Sequence, residues 1–194
     1  IQSKVNQWLE GNYDADIKSD IRSLLENKAF DTLTDAFYKD LEFGTGGLRG
    51  IMGVGSNRIN KYTIAAATQG LSNYLKKTYA GEKICVAVAY DSRNNSEYLA
   101  GITADIFSAN GIHVYFFEEM RPTPELSFAV RQLGCRSGVM ITASHNPREY
   151  NGYKAYGADG TTATVTIRGG SATVTAGSMT GATVTGGTLR TASS

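Results

Sequence analysis

The sequence predicts an α/β protein: a mainly parallel sheet covered by helices on both faces, followed by an irregular or β-rich C-terminal tail. Three observations carry this expectation. Between residues 83 and 142, short apolar runs alternate with helical patterns in the order strand, helix, strand, helix, strand, the signature of parallel strands with covering helices. The first run, KICVAVAY, is continuously apolar, as a strand buried on both faces must be. After residue 160 the composition changes, which divides the chain into an α/β unit with N-terminal helices (1–160) and a Thr/Gly/Ala-rich tail (161–194).

In chain order, the first forty residues read as helices. Ile17, Ile21, Leu24 and Leu25 share a helical face, and Asp31 is placed to cap the stretch DTLTDAFYKDLEF. Gly44 ends that pattern, and Leu48 to Val54 read as extended. Residues 61–77 are helical, with Ile64, Leu71 and Tyr74 on one face. The strand 83–90 comes next, then the helix SEYLAGITADIFSANG, with Leu99, Ile102 and Ile106 in register and Gly111 as its stop. IHVYFF (112–117) is the second strand, TPELSFAVRQLG a helix with Pro124 in its first turn, and SGVMIT (137–142) the third strand. The tail holds eleven threonines, six glycines and no aromatic residue, acid or lysine; ATVT recurs at 163–166, 172–175 and 182–185. Thr-Val alternation with glycine between the runs fits a short β-meander. A low-complexity tail and a segment of mistaken identity are the competing readings.

The chain has 194 residues, with 19 Lys and Arg against 18 Asp and Glu. That balance points to neither a nucleic-acid partner nor an anionic membrane surface. No apolar run is long enough to cross a bilayer. The start, IQSKVNQWLE, lacks the plan of a signal peptide and begins at Ile1 rather than Met, so a residue or more is expected to precede it. Cys85 and Cys135 match no metal spacing and read as small buried hydrophobes in a reducing, cytoplasmic compartment.

The chemistry concentrates after the strands. In a parallel sheet ligands gather beyond the carboxyl ends; Asp91–Arg93 follows the first strand, Arg121–Thr123 the second and Ala143–Pro147 the third. Within ITASHNPREYNGYKAY (141–156), Ser144 stands directly before His145. A hydrolase nucleophile is the first idea, but G-x-S-x-G is absent, adjacent side chains usually diverge, and His113 lies at the opposite sheet edge as a structural histidine. A phosphate carrier fits better. Phosphoserine needs cations and N–H donors; Arg49, Arg93, Arg148 and Lys154 are the candidate cations, and His145 can donate or move a proton. Asn146–Pro147 sets a rigid turn. FGTGGLRG (43–50) lets backbone approach a ligand closely, with Arg49 between Leu48 and Gly50. The plainer readings are turns for the glycines, caps for Asp91 and Ser92, and a solvated charge for Lys154.

FGTGGLRG, the DSR after a buried strand, TASHNP and NGYK, in that order over roughly residues 1–156, resemble the first domain of the α-D-phosphohexomutases, the phosphoglucomutase/phosphomannomutase superfamily. The resemblance implies that Ser144 carries the transferable phosphoryl group, whose oxygens also give one ligand to Mg²⁺. It implies that His145, Arg49 and Lys154 surround that phosphate, the histidine and lysine as candidates for proton transfer. Thr45, Gly46, Gly47, Arg93, Asn146 and Arg148 would bind phosphate or substrate, with Arg93 also helping to order the loop. The implied reaction interconverts glucose 1-phosphate and glucose 6-phosphate, or mannose phosphates, through a 1,6-bisphosphate, with glucose 1,6-bisphosphate as activator. The D-x-D-x-D metal loop and the family's later domains have no counterpart in the sequence. The expectation is therefore a fragment, inactive alone, whose partners are sugar phosphates and the missing domains. The competing class is a non-catalytic phosphate-binding or interaction module.

Overall fold

A computed structural model of the chain describes residues 1–44, 47–168 and 171–175. Three helices open it: α1 (Gln2–Glu10), α2 (Ala15–Glu26) and α3 (Phe30–Phe37). Asp31 does not cap α3; the helix starts two residues earlier than such a cap would set it, Ala29 takes the cap position, and Asp31 lies inside the first turn, where its charge favours the helix dipole. Val5, Trp8, Ile21, Leu33, Ala36, Phe37 and Val54 form a separate core for this helical unit. Trp8 stacks on Tyr13 at 4.4 Å, and both rings meet Tyr62 edge-on.

The sheet is mixed. Its strands are β1 (Phe43–Gly44), β2 (Gly47–Ile51), β3 (Cys85–Tyr90), β4 (His113–Phe116), β5 (Ser137–Ile141) and β6 (Tyr150–Gly157), in the order β1-β2-β6-β5-β3-β4. The expected parallel unit is present: β3 pairs in parallel with both β4 and β5. Helices α5 (Ser96–Ala109) and α6 (Thr123–Gln132) make its crossovers. The other half is antiparallel, β6 against β5 and β2 against β6. The reason is chain length. Only residues 142–149 separate β5 from β6, and a parallel return needs a dozen or more.

Helices cover both faces, as side-chain alternation requires. Val86, Val88 and Tyr90 face α5 and the long helix α4 (Lys61–Thr78); Ala87 and Ala89 face Leu126 and Val130 of α6. Gly138 lets α6 approach the sheet, since a Cβ there would meet Val130 Cγ2 at 2.5 Å. Past Gly157 the chain turns back on β6 and buries Ala163. The first two ATVT repeats form an antiparallel hairpin, β7 (Thr164–Arg168) with β8 (Ser171–Thr175); the third lies outside the described residues. Among the described residues, no helix is long and apolar enough to cross a membrane.

Candidate functional site

The carboxyl ends of β3 and β5 meet: the Asp91 amide donates to the Ile141 carbonyl. The loops that leave them, 91–95 and 142–149, enclose an open cleft of about 500 Å³ lined by Asp91, Ser92, Arg93, Asn94, Ser144, Asn146 and Arg148. The lining is polar, with two arginines and an exposed serine at its rim. Such a surface suits an anion better than an apolar ligand.

Ser144 has φ +56°, in the left-handed region. A non-glycine residue held there is strained and must be fixed by its surroundings. Its amide donates to Thr142 Oγ1 at 2.9 Å, and its carbonyl accepts from Arg93 Nη2 at 2.7 Å. Ser144 Oγ lies 3.3 Å from His145 Nδ1. The expectation that these adjacent side chains diverge is thus corrected: the left-handed turn at Ser144 brings them together.

Arg93 spends its donors on the loop. Nη1 donates to the carbonyls of Pro147 and Tyr150, and Nη2 to those of Ser144 and Asn146, at 2.6–3.1 Å. Its Nε lies 3.6 Å from Asp91 Oδ2. Asp91 is fixed in turn by the Arg93 amide and the Ser96 hydroxyl. It braces the loop rather than capping α5, whose N-cap is Asn95. Behind it, fully buried Asn151 donates to the Asn94 carbonyl and to Ser96 Oγ.

Arg49 reaches the loop from β2, with Nη1 3.4 Å from Asn146 Oδ1. Gly152 makes that path possible. It pairs with Arg49 across β2 and β6, and a Cβ there would lie 3.1 Å from Arg49 Cγ and 2.4 Å from the Leu48 carbonyl. Arg148 lines the cleft directly. Lys154 sits on the same face as Met140 and opposite it, half-buried. Its ammonium lies over the Tyr156 ring at 5.8 Å, and the described residues show no bond from it to Ser144. Gly47 starts β2 at φ +96°, against the Tyr153 carbonyl. Thr45 and Gly46 lie outside the described residues. His113 is exposed at the far sheet edge, edge-on to Tyr115.

Two contributors had no assigned role at the sequence level: Thr142 and Gly152. Their signals were a threonine two residues before a turn serine and a glycine inside a strand. Among the described residues, no group of three or more His, Cys, Asp or Glu is placed to hold a metal ion.

Residues 40–168 match the family model for phosphoglucomutase/phosphomannomutase, alpha/beta/alpha domain I. The match runs beyond Tyr156 to the end of β7. Over 161 residues the chain is 38% identical to a Schizosaccharomyces pombe protein assigned as a phosphoribomutase, covering 82% of this chain and 27% of that one. It is 48% identical over 124 residues to the phosphoglucomutase of Staphylococcus haemolyticus, covering 64% and 22%. A Thermus thermophilus crystal structure assigned as a phosphomannomutase superposes with a TM-score of 0.58 at 31% identity, over 64% of this chain and 27% of that one. The chain thus spans about a quarter of the length of the relatives it matches.

Proposed function

The chain belongs to the phosphoglucomutase/phosphomannomutase family, and on that premise we propose that it is the phosphoserine-bearing part of a hexose phosphomutase acting on glucose phosphates in the cytoplasm. The observation that carries the reading is Ser144. It is exposed, held in a strained turn at the carboxyl edge of the sheet, with its hydroxyl on His145 and Arg148 in the same cleft.

In this reading Ser144 Oγ carries a phosphoryl group. The Oγ–P bond breaks as a sugar hydroxyl oxygen bonds to phosphorus, giving a sugar bisphosphate. The hydroxyl gives up its proton to a base, and Oγ takes one up. His145 Nδ1 is placed for the proton at Oγ. Return of the other phosphate to Ser144 completes the isomerisation. Little covalent chemistry is asked of the protein beyond this; positioning and charge neutralisation dominate phosphoryl transfer. Arg148 and Arg49 supply positive charge, and Arg93 acts through the loop backbone rather than on the phosphate. Lys154 enters as a second proton carrier once its side chain leaves the Tyr156 ring. Glucose 1,6-bisphosphate is the proposed priming donor. For Mg²⁺ the described residues do not form a site, so the ion belongs to the reading only with protein ligands from elsewhere. Mutase turnover by this chain alone is negligible in the same reading.

The test is intact mass after incubation with glucose 1,6-bisphosphate. We expect one phosphate increment that maps to Ser144 and is absent in Ser144→Ala. Saturable binding of the bisphosphate without labelling would instead identify a phosphate-binding module.

A further inference from the structure

A left-handed serine returns to an extended or right-handed conformation unless its own peptide groups are held. Both are held here, from opposite sides. Arg93 takes the Ser144 carbonyl, and the Ser144 amide donates to Thr142 Oγ1 at 2.9 Å. Thr142 is itself anchored, because its amide donates to the Gly152 carbonyl of β6 at 3.1 Å. The threonine hydroxyl therefore ties the serine amide to the first residue of the loop, which β6 holds through its backbone. No helix follows within the loop, so the bond is not a helix cap.

We propose that Thr142 is a positioning residue for Ser144: its hydroxyl holds the left-handed turn that presents Ser144 Oγ beside His145. The consequence for phosphoryl transfer rests on the reading of Ser144 as the phosphoryl carrier; the conformational claim does not. With the hydroxyl gone, the exposed serine amide can pair with water in any conformation. The Ser144 peptide groups lose one of their two ties, leaving the Arg93 bond and the Asn146 amide on the Ala143 carbonyl to hold the turn. Valine keeps the shape of threonine and loses the acceptor. Serine keeps the acceptor and loses only a methyl group.

The experiment uses the full chain, isotopically labelled, and reads the Ser144 amide by NMR: hydrogen exchange, backbone coupling and carbon shifts. In the wild type we expect a protected amide and a left-handed signature. Thr142→Val loses both, and Thr142→Ser keeps both. Phosphoryl uptake from glucose 1,6-bisphosphate then falls about fivefold in Thr142→Val, the net weight of one neutral hydrogen bond, and returns in Thr142→Ser. A wild-type Ser144 amide that exchanges like an unprotected one overturns the proposal, even if the valine variant does not fold. So does a folded Thr142→Val chain that keeps the left-handed signature. If the wild type takes up no phosphate at all, the carrier reading fails, while the NMR comparison still decides the role of Thr142.

Discussion

Arg93 directs both terminal nitrogens at the backbone of one loop, and its side chain is only 14% exposed. Four carbonyls share one guanidinium and each loses that donor without it, although the Pro147 carbonyl also accepts from the Tyr150 amide. Lysine cannot replace this fork, because an ammonium is a single point with three donors. Arg93→Lys is expected to destabilise the chain by roughly 1–3 kcal/mol, the cost of unsatisfied partly buried groups. Hydrogen exchange should rise over residues 143–150 and stay unchanged in β3; equal exchange in that loop would remove Arg93 from this role. The sequence marks Arg93 as a charged residue after a strand, and the family resemblance assigns it to the loop. It does not show where its donors go, because the four carbonyls lie more than fifty residues away in the chain. The same distance hides Gly152. Nothing within NGYK says that an arginine from β2 crosses over that glycine.

At the scale of elements, α4 is fixed by the residue just before it, its N-cap Asn60. Asn60 accepts from the amides of Tyr62 and Thr63, the Thr63 hydroxyl accepts from the Asn60 amide, and the Asn60 side-chain amide donates to the carbonyls of Gly53 and Gly55. This single side chain starts the helix and folds the loop before it, between β2 and α4. Asn60→Ala should cost about 1–2 kcal/mol, near the upper end for a lost cap. The check is the urea midpoint, and a change within error would mean that the neighbouring contacts hold the loop without it. The elements legible in the sequence are those whose signal is local. β3, β4 and β5 are apolar runs, and α4, α5 and α6 carry helical periodicity with clear ends. The direction of β6 is not legible from its composition. YNGYKAYG mixes buried Asn151 with glycines and a lysine, and its antiparallel pairing follows from the short loop before it. The start of α3 is not legible either, because Asp31 has the chemistry of a cap and of a first-turn acid alike.

On the scale of the whole molecule, the protein has more than one core, and its stability need not be uniform. Trp8, the single tryptophan, lies in the core of the helical unit, apart from the two clusters that cover the sheet. Two acid–base pairs help to fasten that unit. Asp14 pairs with Lys61 at the start of α4, and Asp40 pairs with Lys4 of α1. The hydrogen bond from each lysine holds its aspartate below the ordinary value of 3.8. A carboxylate with a lowered folded-state pKa stabilises fully above its unfolded value, and that contribution disappears as pH falls through the folded one. Asp40 is largely exposed and Asp14 about half exposed, so salt should weaken the effect. We therefore expect Trp8 fluorescence to report loosening of the helical unit as pH falls below the ordinary aspartate value, before the sheet loses its circular dichroism. Asp14→Asn should move that transition to higher pH, and added salt should do the same in the wild type. A Trp8 transition that coincides with loss of the sheet, in wild type and Asp14→Asn alike, would mean that the cores unfold as one. The helical unit would then be as firmly part of the molecule as the strands that carry Ser144.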